Sequence, residues 1–216
     1  MALLAPENPT GYSYLGVAYN ALGRWEDARD AFLRSIEVEP NYGALANLAT
    51  LYFTAERYAD AADTYERTLA IDSTDYRVWG NLASCLSLLP GREEERIRAY
   101  ERAALLAEKR RRKSPDDARL LTHMAEYYDA LGVPERALPL VEKAITLAPD
   151  DVEVMFHAGY TYERLGSRER ALEWVGRAVR NGYSLSMIEE TPGLRELTAD
   201  PRYREIVRGS ADDLEQ

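Results

Sequence analysis

The chain has 216 residues, 46% of them hydrophobic, and its 37 Asp and Glu residues outnumber its 27 Lys and Arg residues, which gives a formal net charge of −10. This apolar content is enough for a packed core, and the acidic balance argues against nucleic acid or an anionic membrane surface as a partner, because both require a basic surface. No apolar run reaches the roughly 18 residues that a membrane-spanning helix needs. The single cysteine, Cys85, excludes an intrachain disulfide and favours a reducing compartment, so we expect a cytoplasmic protein.

The first residues of the chain resemble a segment that lies deep inside it. The stretch ALLAPEN at residues 2–8 is similar to AITLAPDD at residues 144–151, and Pro6 aligns with Pro40 and Pro149. We therefore expect residues 1–8 to be the remnant of a preceding repeat, and the chain to be a fragment of a longer protein. The alternative is a full-length protein that begins with a short N-terminal cap.

A pattern of aliphatic, small and aromatic residues then recurs along the chain with a spacing of about 34 residues. Each occurrence has an apolar residue followed by Gly or Ala, and three residues later a Tyr or Leu; the occurrences begin at Leu15, Leu48, Leu82, Met124 and Ala158. In four of them an alanine follows at a fixed distance, at Ala28, Ala61, Ala137 and Ala171. Apolar residues at this spacing predict two amphipathic helices in each unit.

We expect five helical pairs, at residues 9–41, 42–75, 76–117, 118–151 and 152–183. Gly23, Gly132 and Gly166 lie where the first helix of a pair must end, as a C-terminal cap requires. One helical pair cannot bury its own apolar face, whereas stacked pairs can. The sequence therefore predicts an all-α helical repeat solenoid.

The third unit is longer than the others. Its turn reads LLPGREEE, and its second helix is predicted to extend to about Arg112, through the basic run Lys109–Lys113. We interpret this run as a solvated helix end whose positive charge complements the helix dipole. The alternatives are a docking site for an acidic partner or for RNA.

The pattern changes after Gly182, where Pro192 and Pro201 separate short predicted helices. Repeat arrays need a terminal cap with a polar outer face, and residues 184–208 fit that role. We expect residues 209–216 to be a frayed tail.

The repeated pattern resembles the tetratricopeptide repeat (TPR), whose consensus is W-x2-L-G-x2-Y, then A-x3-F, then P. The resemblance implies a right-handed superhelix whose first helices line a concave groove that binds a peptide or a partner domain. Residues 118–208 further resemble the C-terminal repeat regions of bacterial multidomain signalling proteins such as serine/threonine kinases. No kinase motif occurs in this chain, so the resemblance implies that any such activity would belong to another part of the protein.

The resemblance also indicates which side chains line the groove. We expect contacts with a peptide ligand from Tyr14, Val17, Asn20, Asn47, Thr50, Arg77, Asn81, Ser84, His123, Glu126, Phe156 and Tyr160. Carboxamides such as Asn47 and Asn81 can both donate to and accept from a peptide backbone. Because the groove mixes apolar and polar residues in an acidic protein, we expect a ligand with apolar and basic side chains.

Some members of this family bind the acidic C-terminal tails of heat-shock chaperones through a carboxylate clamp. Asn47, Arg77 and Asn81 match that clamp, but Ser13 and Val17 stand where a lysine and an asparagine are expected. We therefore predict that this chain does not bind such tails.

The leading functional hypothesis is a non-catalytic interaction scaffold without a cofactor or a metal ion. The alternative is a regulatory segment that acts on a catalytic domain upstream in the same polypeptide. A remote alternative is a metal-dependent enzyme that uses His123, Glu126 and His157, since these residue types are ligands of transition metals. Self-association through an exposed N-terminal repeat face is also expected to be possible.

Overall fold

The computed structural model describes residues 7–214, and within this range it contains thirteen α-helices, one short 3-10 helix and no β-strand. Their bounds are α1 (Pro9–Ala21), α2 (Trp25–Val38), α3 (Tyr42–Thr54), α4 (Tyr58–Ile71), α5 (Tyr76–Leu86), α6 (Glu93–Arg111), α7 (Ala118–Ala130), α8 (Pro134–Leu147), α9 (Val152–Arg164), α10 (Arg168–Arg180), α11 (Leu185–Glu189), the 3-10 helix (Pro192–Leu194), α12 (Arg195–Ala199) and α13 (Pro201–Leu214). The predicted all-α helical repeat fold is confirmed. The expected remnant at residues 1–8 falls largely on residues 1–6, which lie outside the described part of the chain.

The helices form consecutive pairs, and the first helix of each pair begins at an Asn or Asp N-cap. Asn8, Asn41, Asp75, Asp117 and Asp151 each accept a hydrogen bond from a backbone N–H in the first turn of the helix that follows. Such a cap satisfies one of the backbone donors that a helix leaves without an intrahelical acceptor. These five residues therefore fix where α1, α3, α5, α7 and α9 begin.

The turns inside the pairs require a residue in the left-handed region of backbone space. Gly23, Gly132 and Gly166 have φ values of 69°, 75° and 71°, which confirms the predicted glycine caps. In the second pair Glu56 occupies the corresponding position with a φ of 56°. This conformation is unfavourable for an L-residue, because its Cβ atom comes too close to the following carbonyl oxygen. The geometry of the pair thus overrides the preference of this residue.

The chain divides into two compact units, residues 1–106 and 107–216. In unit 1, α3 packs between α1 and α5, and in unit 2, α7 packs against α9. The first helices therefore lie side by side within each unit. Among the largest fully buried side chains are Phe32, Leu45, Leu48 and Tyr65 in unit 1, and Leu120, Leu121, Met124, Met155 and Tyr162 in unit 2.

Close approach between the helices of a pair depends on small residues. A Cβ atom at Gly159 of α9 would lie 2.6 Å from Cγ2 and 2.9 Å from the backbone N of Val175 in α10. The glycine is therefore required for these two helices to pack at their observed distance.

The C-terminal segment packs on the last helical pair. Ile188, Leu194, Leu197 and Tyr203 are buried, and α12 and α13 contact α10 while the 3-10 helix contacts α9. Helix α13 continues to Leu214, through most of the segment for which the sequence predicts a frayed tail, because extending a helix is easier than starting one. None of the helices in residues 7–214 is both long enough and apolar enough to cross a lipid bilayer.

Helix α6 is the longest helix in the described residues, with 19 residues. Its first turn contains Glu93, Glu94 and Glu95, and its last turn contains Lys109, Arg110 and Arg111. Acidic residues at the start and basic residues at the end both complement the helix dipole. The guanidinium of Arg111 also pairs with Glu108 at 2.9 Å.

Candidate binding site

The twelve side chains predicted to contact a ligand all belong to the first helices. Seven of them are exposed, namely Tyr14, Val17, Asn20, Asn47, Thr50, Arg77 and Asn81. Ser84, His123, Glu126 and Tyr160 are partly exposed, whereas Phe156 is buried. We call the surface formed by the predicted residues of α1, α3 and α5 the unit 1 face, and the surface formed by those of α7 and α9 the unit 2 face.

The unit 1 face begins with two exposed apolar side chains on α1. Tyr14 is 68% exposed and Val17 is 46% exposed, and they lie three residues apart on the same side of the helix. Helix α3, which packs against α1, carries the exposed Asn47. The unit 1 face thus presents apolar side chains on α1 and, on the neighbouring α3, a carboxamide that can both donate and accept.

Hydroxyl groups continue the unit 1 face, and they are bonded to the second helix of their own pair. Thr50 and Tyr65 share a hydrogen bond of 2.9 Å between their hydroxyl oxygens, and Ser84 and Tyr100 share one of 3.2 Å. Asn81 also interacts with the hydroxyl of Tyr65, whose phenolic pKa is raised chiefly by burial. These contacts fix the positions of Thr50, Asn81 and Ser84 on the unit 1 face.

Arg77 does not extend across the unit 1 face. Its Nη2 donates to Oδ2 of Asp75 at 2.7 Å, and its Nε donates to Oδ1 at 3.1 Å. The pKa of Asp75 is raised by burial, but the hydrogen bonds from Arg77 and Tyr42 outweigh this and leave it below its usual value. Asp75 and Tyr42 were not predicted from the sequence, because their contact joins residues 33 positions apart in the chain.

The unit 2 face is dominated by ion pairs between α7 and α9 or the N-cap of α9. Arg119 pairs with Asp151 at 2.8 Å, Asp129 pairs with Arg164, and Glu126 pairs with His157. Of these six residues, only Glu126 was predicted to contact a ligand. In the structure its carboxylate is already paired with His157, and the flanking charged residues pair in the same way between α7 and α9 or its N-cap.

His123, Glu126 and His157 form a cluster, which we call the histidine cluster. His123 and His157 pack edge to face with 4.8 Å between their ring centroids, and Nδ1 of His157 is hydrogen-bonded to Oε1 of Glu126. Burial lowers the pKa of His157, but the carboxylate of Glu126 outweighs burial and leaves that pKa above its usual value. One ligand atom from each residue can be chosen such that all three lie within 4.8 Å of one another.

Two aromatic residues of α9 pack against residues that follow α10 in the chain. Phe156 stacks on Tyr183 with 4.4 Å between centroids and 8° between ring planes. A Cβ atom at Gly193 would lie 2.6 Å from Cε2 of Tyr160, so this ring packs closely against the 3-10 helix. Because Phe156 is buried against Tyr183, it does not present a surface to a ligand as predicted. Tyr183 lies outside the repeated pattern, so no signal in the sequence indicated this contact.

Cys85 is not suited to nucleophilic chemistry. It is fully buried in unit 1, and burial raises the pKa of its thiol to about 12. The thiolate, which is the reactive form, is therefore strongly disfavoured at neutral pH.

A cleft of about 570 Å³, which was not predicted from the sequence, lies between α4, α5 and α6 of unit 1. It is lined by Glu66, Leu69, Ala70, Trp79, Leu82, Leu86, Glu95, Arg98, Ala99 and Arg102. None of the twelve predicted ligand contacts is among these residues.

Comparison with known proteins agrees with this architecture. Two family profiles described as "Tetratricopeptide repeat" match residues 8–74 and 122–183. No curated protein matches the sequence closely enough to count as a relative.

Several solved structures share the fold. The chain is similar to TTC0263, a thermophilic TPR protein of Thermus thermophilus, with a TM-score of 0.61 and 21% identity over 93% of this chain and 99% of that one. It is similar to pilF of Pseudomonas aeruginosa, with a TM-score of 0.54 and 20% identity over 96% of this chain and 90% of that one. YrrB, described as a TPR protein with an unusual peptide-binding site, gives a TM-score of 0.50 and 19% identity over 89% of this chain and 93% of that one.

Proposed function

Because the chain belongs to the tetratricopeptide repeat family, we propose that it is a non-catalytic scaffold that binds an extended peptide segment of a partner protein on the unit 1 face. The observation that carries this proposal is the exposure of Tyr14 and Val17 on α1, together with the exposure of Asn47 on the neighbouring α3. Large apolar side chains that share one exposed face are typical of interaction sites. The neighbour YrrB, whose description names a peptide-binding site, is a precedent for this use of the fold.

The chemistry of the unit 1 face indicates what the peptide contains. Burying the ring of Tyr14 and the side chain of Val17 requires an apolar side chain on the ligand. The carboxamide of Asn47 can pair with one peptide group of an extended backbone through both a donor and an acceptor. The net charge of −10 attracts basic partners over long range, so the proposed ligand combines apolar and basic residues.

The unit 2 face contributes less to recognition in this proposal. Arg119, Asp129 and Glu126 already have partners in the chain, and a ligand must break those pairs to use them. Replacing one satisfied ion pair by another yields little net free energy. We therefore assign the specificity to unit 1.

The experiment is selection from a phage-displayed random peptide library, followed by titration of the selected peptide by fluorescence anisotropy. Tyr14→Ala and Asn47→Ala are expected to weaken binding by about tenfold or more, as substitutions at the centre of an interface do. Leu33→Ala is the matched control, since Leu33 is 41% exposed but belongs to α2. Equal weakening by Leu33→Ala, or unchanged affinity of both unit 1 variants, would contradict the proposal.

The proposal extends to the cellular role of the protein and to the identity of its partner. The resemblance of residues 118–208 to bacterial signalling proteins supports a signalling role in the cytoplasm, where the partner is a separate protein or a catalytic domain of the same polypeptide. A second copy of the chain is the other candidate partner, since Tyr14 and Val17 expose apolar surface that a dimer could bury. Light scattering over a range of concentrations tests for the second copy, because Tyr14→Ala weakens a dimer only if that face forms it.

A further inference from the structure

We infer that His123, Glu126 and His157 form a binding site for one divalent transition-metal ion of the Zn²⁺ class. The site goes beyond the proposed peptide-binding function, because it lies in unit 2 and requires no peptide. Three observations carry it, namely the convergence of the three ligands, the second carboxylate beside them, and the distribution of histidine in the chain.

The three side chains converge from two neighbouring helices. His123 and Glu126 are three residues apart and share one side of α7, while His157 lies on α9, which packs against α7. Two imidazoles and one carboxylate are a known ligand set for zinc, with one coordination position left for water.

The distances are close to those that a metal ion needs. Ligand atoms in a tetrahedral zinc site are about 3.4 Å apart, since each lies about 2.1 Å from the metal. Glu126 and His157 are already in direct contact, and the ligand atoms of all three residues lie within 4.8 Å of one another. Ligand atoms that lie as far apart as 4.8 Å must approach to about 3.4 Å when a metal ion binds.

A second carboxylate lies behind one of the ligands. The Nε2 atom of His157 is 3.9 Å from Oε2 of Glu153, on the other side of the ring from Glu126. A metal-bound imidazole usually donates its remaining N–H to a carboxylate, which fixes the ring and raises its basicity. Arg119, the nearby cation, is held by Asp151 at 2.8 Å, so its charge is already compensated.

The surroundings are sheltered without being closed. The side chains of His157 and Glu126 are 18% and 19% exposed, and Phe156 packs against His157 with 5.2 Å between ring centroids. Aromatic neighbours exclude part of the water, which strengthens the attraction between a cation and the carboxylate. An ion can therefore enter from solvent and be held in a partly apolar environment.

The site also contains every histidine in the chain. The sequence has two histidines, and its one cysteine, Cys85, is buried in unit 1. Among the described residues, no other group of three His, Cys, Asp or Glu side chains has suitable geometry. Any metal binding through imidazole can therefore be assigned to this cluster, because the chain has no other histidine.

The test is titration of tag-free, metal-depleted protein with Co²⁺ and with Zn²⁺. We expect one Co²⁺ per chain with the visible absorption bands of a tetrahedral site, displacement of Co²⁺ by Zn²⁺, and a Zn²⁺-dependent rise in Tm. In NMR spectra the imidazole signals of both histidines should shift together.

Variants distinguish a specific metal site from nonspecific attraction of cations to acidic residues. His123→Ala and Glu126→Gln should abolish the tetrahedral Co²⁺ bands, and Glu153→Gln should weaken binding by about 10- to 100-fold. Asp129→Asn is the matched control. Asp129 lies three residues after Glu126 on α7, and its carboxylate also pairs with a residue of α9. This substitution should leave metal binding unchanged.

The inference is overturned if wild-type protein gives no tetrahedral Co²⁺ spectrum, if the two imidazole signals do not shift, or if Asp129→Asn weakens binding as much as Glu126→Gln. The NMR result on the wild-type protein decides the question even if a variant fails to fold. Neither readout involves a peptide, so the outcome is independent of the proposed scaffold function.

Discussion

The phenolic O–H of Tyr42 donates to Oδ2 of Asp75, with 2.7 Å between the two oxygens. Tyr42 is the first residue of α3 and Asp75 is the N-cap of α5, so this bond ties the beginnings of two consecutive first helices. In unit 2, Arg119 near the start of α7 donates to Asp151, the N-cap of α9. The same device therefore links neighbouring repeats in both units.

Removing the charge of Asp75 is expected to destabilise unit 1. Asp75→Asn weakens the N-cap of α5 and the bonds from Tyr42 and Arg77, which together should cost about 1–2 kcal/mol in the free energy of unfolding at pH 7. Tyr42→Phe removes one bond only and should cost about 1 kcal/mol. Urea denaturation followed by circular dichroism measures both values.

The effect of Asp75→Asn should depend on pH. The pKa of Asp75 is lower in the folded protein than its usual value of about 3.9, so its contribution is complete above that value and is lost as the pH falls through the folded pKa. The stability difference between wild type and Asp75→Asn should therefore be constant near neutral pH and shrink below about pH 4. Asp63→Asn, which removes an exposed carboxylate from α4, controls for the change in net charge; an equal pH dependence in this variant would contradict the assignment.

Glu56 should be improved by a glycine. Its φ of 56° costs an L-residue about 1–2 kcal/mol. Glycine avoids this cost, but part of the gain in stability is lost because glycine raises the conformational entropy of the unfolded chain. We expect Glu56→Gly to raise the free energy of unfolding by about 0.5–1 kcal/mol.

The reciprocal substitution tests the same cause. Gly23 has a φ of 69°, and a Cβ atom there would have no neighbour within 4 Å, so only the backbone opposes Gly23→Ala. This variant should lose about 1 kcal/mol. Thermal unfolding of both variants would refute the explanation if their stability changes had the same sign.

Gly159→Ala should destabilise unit 2 because of crowding. The added methyl group would lie 2.9 Å from the backbone N of Val175, which cannot move away as a flexible side chain can. Overpacking of this kind costs about 1–3 kcal/mol.

Gly43→Ala is the matched control for crowding. Gly43 lies in α3, where the nearest atom to an added Cβ is 3.9 Å away, so alanine should stabilise the helix by up to about 1 kcal/mol. Chemical denaturation should therefore show opposite signs for the two Gly→Ala substitutions. A loss of stability in both would indicate that crowding is not the cause.

Peptides that mimic acidic chaperone tails should not bind. The guanidinium of Arg77, which matches one clamp position, is held by Asp75, and Val17 offers no polar group where the clamp requires one. Isothermal titration with an acidic C-terminal peptide should show no heat of binding. Micromolar affinity that Arg77→Ala abolishes would prove this prediction wrong.

The repeat architecture was predictable because its determinants are local in sequence. Gly23, Gly132 and Gly166 mark the turns, and the recurring small residues such as Gly159 mark where helices approach closely. Glu56 shows the limit of this reasoning, since nothing in its own chemistry predicts a left-handed conformation. There the packing of the two helices fixes the geometry of the turn, and Glu56 must adopt the left-handed conformation that this turn requires.

The candidate contacts were only partly predictable because their availability depends on neighbours from other repeats. Phe156 fits the pattern of a groove residue, but Tyr183 covers it. Arg77 fits a clamp position, but Asp75 holds it.

The sequence alone determined the helical repeat and the order of its helices. It also determined that Tyr14, Asn47 and His123 belong to the first helix of their pairs. These properties follow from helical periodicity, N-caps and turn residues, which act over a few positions. The tertiary structure decided which of those side chains bond to one another and which remain exposed. The meeting of His123 and Glu126 with His157 depends on the packing of α7 against α9, and residues more than 30 positions apart come into contact only when their helices pack.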